Sequence, residues 1–226
     1  MTSRQQPKLK LYYFNIVGKG EPIRLLCAYA GLELEDYHFA SRQEFQDLKA
    51  NGKLAFGQVP LLEVDDGAHQ LVQSTAILRY LAKLGGLYPR DDDILAAKID
   101  AALAQEADAF TGPTVATYTT RFGICLEGDA LQQSKELIAK EVIPRHLDAL
   151  EQLLNSSSTG WIAGTDQPSP ADFVWYVRLA LWLPETQLPF QKEILSFQGY
   201  PKIKAFVDKF ASLEAIKRYY ADKKKE

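Results

Sequence analysis

Phe56-Gly57-Gln58-Val59-Pro60-Leu61-Leu62-Glu63-Val64-Asp65-Asp66-Gly67-Ala68-His69-Gln70-Leu71-Val72-Gln73-Ser74 decides how the first third of this chain folds. Leu61 to Val64 reads as a short apolar strand. Asp66-Gly67 reads as a hairpin turn, because both residues tolerate positive φ. Gln70 to Val72 reads as the returning strand. Ser74 then caps a helix that carries Ile77, Leu78, Leu81 and Leu84 on one face and ends at Gly85-Gly86.

Two places in this unit suggest a site. Val59-Pro60 precedes a strand, where the missing N–H of proline does least damage. A trans bond there simply starts the strand. A cis bond lets Val59 present its N–H and C=O to an extended peptide, as a strand edge does. Gln73-Ser74 lies where a helix begins, with N–H groups and a positive dipole end that suit a carboxylate. Taken alone, Ser74 is an ordinary N-cap. Both features falling in one hairpin unit is what points to a ligand.

The flanking sequence builds a layer around this unit. Lys8 to Phe14 alternates and is rich in aromatics, which predicts a strand. Asn15 to Gly20 is a loop, and Pro22 sits in the first turn of a helix that runs to Gly31. Leu34 to Phe39 is a second strand, and Ser41 to Ala50 a short polar helix around Phe45 and Leu48. Strand, helix, strand, then hairpin and helix, make an α/β layer. Leu87 to Asp93 reads as a linker broken by Pro89, and everything beyond it reads as helix. The expected helices are Ile94 to Phe110, Val115 to Phe122 after a bend at Gly112-Pro113, and Leu131 to Leu154 with a kink at Pro144. A buried helix, Pro170 to Leu183, opens on a Ser169-Pro170-Ala171-Asp172 capping box. Tyr200 to Phe210 and Leu213 to Tyr220 follow. The predicted domains are 1–85 and 93–226, joined by a linker at 86–92.

Composition narrows the function classes. The chain has 226 residues, 46% hydrophobic and 24% charged, as globular proteins do. A net charge of -3 gives no basic surface for nucleic acid. No apolar run is long enough to predict a membrane span. Met-Thr-Ser-Arg-Gln-Gln-Pro lacks the apolar core of a secretory signal. Cys27 and Cys125 have no disulfide or metal spacing and read as reduced core thiols, so the expected compartment is cytoplasmic. His38, His69 and His146 form no zinc pattern, so no metal is expected.

Five segments in order carry a resemblance. They are Leu11-Tyr12-Tyr13-Phe14-Asn15, Gly18-Lys19-Gly20-Glu21-Pro22-Ile23-Arg24, Phe56-Gly57-Gln58-Val59-Pro60, Gln73-Ser74-Thr75-Ala76-Ile77 and Ser169-Pro170-Ala171-Asp172-Phe173. With the change of domain after Leu84, the chain resembles the cytosolic glutathione transferases. It is most similar to the sigma class, which includes glutathione-dependent prostaglandin D synthases. The resemblance covers nearly the whole chain. It implies a thioredoxin-like α/β first domain, an all-helical second domain and a homodimer, with glutathione as co-substrate and no metal.

The same resemblance assigns roles. In the tyrosine-type classes, the tyrosine matching Tyr13 donates to the glutathione sulfur. A free thiol has a pKa of ~8.5, and lowering it by ~2 units takes ~2.7 kcal/mol of preferential thiolate stabilisation. Tyr12 is the competitor, and strand alternation turns it to the other face. Other classes place a serine or cysteine before the first helix, but Asn15 to Glu21 holds neither. The implied glutathione contacts are Phe14, Lys19, Phe45, Lys49, Gln58, Val59, Pro60, Gln73 and Ser74. Phe45 replaces the tryptophan of the family pattern, and Lys19 replaces a frequent arginine. Asp108 matches the acid that reaches the γ-glutamyl ammonium from the partner subunit, with Glu106 as fallback. An apolar electrophile site between the domains is expected from Phe14, Val17, Gly112, Val115, Thr119, Tyr219 and Tyr220. Ser169 and Asp172 read as a helix cap that serves folding. The implied reaction is attack of glutathione thiolate on a hydrophobic electrophile. The alternatives are a glutathione-dependent isomerase of the prostaglandin D synthase type and a non-catalytic, crystallin-like or ligand-carrying protein. For a metal-activated isomerase the aspartate cluster is incomplete: Asp100 and Asp108 are present, but Ala104 and Ala107 stand where further acids belong.

Overall fold

The structure is a computed structural model that describes residues 6–186, 188–190 and 192–224. Residues 1–5, which carry most of the reading on secretion, lie outside the described residues. Two compact units emerge. The first takes in the chain up to Arg90 together with the last helix, and the second runs from Asp91 to Leu213.

The first unit contains the expected layer. β1 (Leu9–Tyr13), α1 (Glu21–Ala30), β2 (Glu35–His38), α2 (Arg42–Ala50), β3 (Leu61–Val64), β4 (His69–Val72) and α3 (Ser74–Leu84) follow in order. The sheet order is β2-β1-β3-β4. β1 runs parallel to β2 and antiparallel to β3, with Tyr12 opposite both Tyr37 and Leu61. β3 and β4 form the hairpin, with Leu61 opposite Val72. Its turn holds Asp65, Asp66 and Gly67, all at positive φ, so the left-handed stretch starts one residue earlier than Asp66-Gly67 predicted.

Alternation along β1 sorts the core. Leu11 and Tyr13 share one face, and Tyr12 takes the other. α1 and α3 pack together and bury Ile23, Leu26, Ile77, Leu78 and Leu81 completely. Each fully buried side chain of this size contributes about 1.5–3 kcal/mol. On the other face Tyr12 joins Leu54 and Leu61, with Tyr37, Phe39, Phe45 and Leu48 packed against them. α1 ends on Gly31, whose φ of 66° is the left-handed conformation that suits glycine.

The second unit is helical, with corrections to the expected breaks. α4 (Asp93–Thr117) runs unbroken through Gly112-Pro113. Pro113 removes a single backbone donor, and Thr114 Oγ1 and Thr117 Oγ1 each donate to a carbonyl one turn back. A 3-10 turn, Thr119–Phe122, follows and stops at Gly123 with φ 71°. The long helix predicted to kink at Pro144 is instead α5 (Gly128–Leu137), a π turn (Ile138–Val142) and α6 (Ile143–Ser156). The wider turn lies just ahead of Pro144 and accommodates its ring and missing N–H without ending the helix. α7 (Pro170–Tyr176) is buried at every residue and continues through a π turn, Val177–Trp182. α8 (Lys192–Leu195) and α9 (Pro201–Ser212) complete the unit.

α10 (Glu214–Lys223) forms where a last helix is expected. It packs on α1, so by contacts it groups with the first unit. Cys125 differs from expectation: it is exposed, in the loop after Gly123, because the helix ends there. Cys27 is the buried thiol expected, and burial pushes its pKa up to about 12.

Candidate active site

Strand register alone gathers the candidate residues of the first unit. Tyr12 lies opposite Leu61, so Tyr13 leaves β1 at the end where Pro60 enters β3. Leu61 lies opposite Val72, so β4 delivers Gln73 to that same end. Tyr13, Val59, Pro60, Gln73 and Ser74 therefore meet at one rim of the sheet. The Val59-Pro60 bond is cis, one of the two alternatives open to the sequence.

Tyr13 is 7% exposed. Its hydroxyl accepts the backbone N–H of Lys19 at 2.8 Å, a role that does not consume the hydroxyl's own proton. The loop after β1 folds directly onto this ring. A methyl group added to Gly18 would meet the Tyr13 hydroxyl at 2.4 Å, and one added to Gly20 would meet ring carbon Cδ1 at 2.5 Å. Gly18 also sits at φ 38°, so only glycine suits it both sterically and conformationally. Tyr12 points to the opposite face, and its hydroxyl accepts from Lys53 Nζ at 3.4 Å.

The remaining candidates surround this rim. Phe14 stacks against Phe39 at 5.1 Å and Phe45 at 5.3 Å between ring centres. The carbonyl of Val17 accepts the first N–H of α1, from Glu21. Lys19 and Gln58 are exposed. The Lys49 side chain lies across Gly57, where an added methyl group would meet its Cε at 2.9 Å. Gln73 has φ 72°, a strained conformation for a side-chain-bearing residue that costs about 1–3 kcal/mol. Gln73 rather than Ser74 is the N-cap of α3, and no side chain caps that helix. This corrects the expectation that Ser74 acts as the cap. Positive φ at Gln73 turns the chain sharply from β4 into α3. Ser74 becomes the first helical residue, beside the N–H groups that no helix bond uses.

Other candidates are placed separately. Asp108 is exposed on α4, close enough to His146 to act on its charge. Glu106 is 6% exposed, and Arg178 Nε donates to its carboxylate at 2.5 Å, so the fallback acid is held inside its own chain. Gly112 and Val115 are half-buried on α4, and Thr119 opens the 3-10 turn. Tyr219 and Tyr220 belong to the first unit on α10. Burial, then the neighbouring Glu21 carboxylate, raises the Tyr219 phenol far above its ordinary range. Among the described residues no group of three or more His, Cys, Asp and Glu side chains is arranged to hold a metal.

Sequence reading missed Arg24, which is 3% exposed and ties the loop after Tyr13 to α1 and β2. Its signal was the i, i+3 pairing with Glu21 in an otherwise apolar helix.

Comparison with known proteins identifies the family. The N-terminal domain of glutathione S-transferases matches residues 9–83, and their C-terminal domain matches residues 119–223. The chain belongs to the glutathione S-transferase family. Among its relatives, glutathione S-transferase 1 of Ascaris suum is 34% identical over 226 residues, covering 97% of this chain and 98% of that protein. Glutathione S-transferase A4 of Mus musculus is 31% identical over 212 residues, covering 94% of this chain and 87% of that one. The solved structure of prostaglandin synthase D of Nilaparvata lugens superposes with a TM-score of 0.77. It is 28% identical and covers 95% of this chain and 98% of its own. The fold is that of the glutathione S-transferases, a thioredoxin-like α/β domain and a helical one. In this chain Ser169 and Asp172 open α7 with a full capping box, and Asp172 also accepts the Ile162 N–H at 2.9 Å.

Proposed function

We propose that this chain is a glutathione transferase in which the Tyr13 hydroxyl donates a hydrogen bond to the thiolate sulfur of bound glutathione. The observation that carries the reading is the placement of Tyr13. It is buried at the sheet rim, with its oxygen accepting the Lys19 N–H, beside the cis Val59-Pro60 segment and the α3 N-terminus. An N–H donated to the phenol oxygen polarises the O–H toward its own acceptor. In this reading Val59 pairs with the cysteinyl backbone, and Gln73 and Ser74 hold the γ-glutamyl carboxylate at the dipole end of α3. Phe14, Phe45, Lys49, Lys19, Gln58 and Pro60 complete the pocket. The thiolate attacks an electrophilic carbon, a C–S bond forms, and the leaving group departs with its electron pair.

In the same reading the second substrate is a hydrophobic electrophile. A homodimer belongs to the same reading. Phe56 is 64% exposed and Ile94 71%, and burying such side chains favours association. Exposure of Asp108 suits an acid that serves the partner subunit. Detoxification in the cytoplasm is the corresponding role, and no helix among the described residues is long and apolar enough to cross a membrane.

The test is the ultraviolet thiolate signal of bound glutathione across pH, with conjugation of an aryl halide alongside, in wild type and Tyr13→Phe. A low thiol pKa and fast conjugation, both lost in the variant, support the transferase. Glutathione binding with an ordinary thiol pKa and no turnover sinks it. A second reading, isomerisation of a prostaglandin-type endoperoxide, is favoured by the likeness to prostaglandin synthase D. The same preparations assayed with that substrate decide it.

A further inference from the structure

Arg24 makes a set of contacts that the reaction above does not use. Its Nη1 donates to the carbonyl of Ile16 at 2.9 Å and to Glu21 Oε2 at 3.2 Å. Its Nη2 donates to the carbonyl of Phe14 at 3.1 Å and to Asp36 Oδ1 at 3.3 Å, and its Nε to Asp36 Oδ2 at 2.7 Å. Nη2 also lies 3.3 Å from His38 Nε2. The guanidinium carbon stands 5.7 Å from the Tyr13 ring centre.

The two carbonyls open the segment that begins after Tyr13 and brings the Lys19 N–H back onto the Tyr13 hydroxyl. Asn15, Ile16 and Lys19 are exposed, so few apolar contacts hold this segment in place. A buried, two-pronged cation on the carbonyls of Phe14 and Ile16 supplies the missing constraint. Glu21 and Asp36 fix the cation from α1 and β2. Lys223 Nζ reaches Glu21 Oε2 at 3.4 Å, which joins α10 to the same cluster.

We propose that Arg24 is a positioning residue for the Tyr13 hydroxyl, acting through the loop carbonyls of Phe14 and Ile16. The proposal rests on the reading of Tyr13 as the thiolate donor and deepens it. The planar fork is essential to it, because a lysine offers one point charge and cannot bridge two carbonyls and a bidentate carboxylate at once.

The experiment titrates the thiolate of bound glutathione in Arg24→Lys, Asp36→Asn and Tyr13→Phe beside wild type, with aryl halide conjugation measured across pH. In Arg24→Lys the bound thiol pKa rises by about one unit, and kcat at pH 6.5 falls about 10-fold. KM for glutathione stays within about 2-fold, and the rate recovers at high pH, where the thiol ionises unaided. Asp36→Asn shifts both readouts the same way by less. Its side chain is 28% exposed, so it carries the test if Arg24→Lys does not fold. A folded Arg24→Lys or Asp36→Asn with wild-type thiol pKa and pH profile, beside a Tyr13→Phe that loses both, overturns the positioning role and leaves Tyr13 standing. A change in melting temperature alone, or in KM alone, overturns it equally. A Tyr13→Phe with unaltered thiol pKa overturns both readings.

Discussion

The backbone N–H of Lys19 donates to the hydroxyl of Tyr13 at 2.8 Å. The contact spans six residues of a loop in which Gly18 and Gly20 leave no space beside the ring. From it follows the first prediction. Tyr13→Phe keeps the ring and its packing but removes the hydroxyl. We expect conjugation near pH 6.5 to fall by roughly 10–100-fold, as a loss of one to two units in thiol pKa requires. The fold should be unaffected by circular dichroism. An active variant with an unshifted thiol would move the donor elsewhere.

Ser74 opens α3 where positive φ at Gln73 turns the chain. In the proposed reading Ser74→Ala removes a donor to the γ-glutamyl carboxylate, and hydrogen bonds to charged groups contribute about 1.5–3 kcal/mol. KM for glutathione should rise roughly 10–100-fold while kcat changes little, since the contact is the same in ground and transition states. A drop in kcat at constant KM would contradict this role.

Asp172 is fully buried and accepts from Ile162 N at 2.9 Å, Ser169 N at 2.8 Å and Ser169 Oγ at 2.7 Å. Burial outweighs these bonds and pushes its carboxyl up to about 6. The sign follows. A folded-state pKa above the unfolded one means that the folded chain binds the proton more tightly. This contribution to stability is fully present below the ordinary carboxyl range and is lost as pH rises through about 6. We expect the urea midpoint of the wild type to fall from pH 4 to pH 7 relative to Asp172→Asn, by the equivalent of about 2–3 kcal/mol. Asp172→Asn should be less stable at neutral pH, because its amide nitrogen cannot accept. Parallel pH curves for the two proteins would refute the assignment.

Buried Glu106 pairs with half-buried Arg178, and the guanidinium lies over Trp182 at 4.7 Å and Phe110 at 5.1 Å. Removing Arg178 leaves the Glu106 carboxylate buried and uncompensated, so Arg178→Met should cost about 3–5 kcal/mol by chemical denaturation, and Glu106→Gln, which leaves a half-buried guanidinium, should cost less. The double variant should recover part of that loss. If the two single losses simply add, the pair is not coupled.

Local pattern was sufficient for much of this protein. Alternation made β1 a strand and separated Tyr13 from Tyr12. Asp66-Gly67 marked the hairpin, Pro22 and Gly31 bounded α1, and Ser169 to Asp172 marked a capping box that is present in full. Such features depend on neighbours three or four residues away, and those neighbours are visible in one line of text. The breaks predicted at Gly112-Pro113 and Pro144 misplaced the helices. A proline costs one hydrogen bond locally, and packing decides whether the helix absorbs it, as α4 does, or a wider turn forms beside it, as ahead of α6.

Tertiary structure decided the rest. That Tyr13, Pro60 and Gln73 share a rim depends on the register of three strands. That α10 returns to α1 depends on contacts 202 residues apart along the chain, as Lys223 and Glu21 show. The buried state of Arg24 and Glu106, both polar residues in helices, depends on partners that no spacing rule names: Asp36 and two loop carbonyls for one, Arg178 for the other. Sequence carries periodicity and turn chemistry because these are short-range. Register, burial of charge and the return of a terminal helix are fixed only when distant segments close on one another and exclude water.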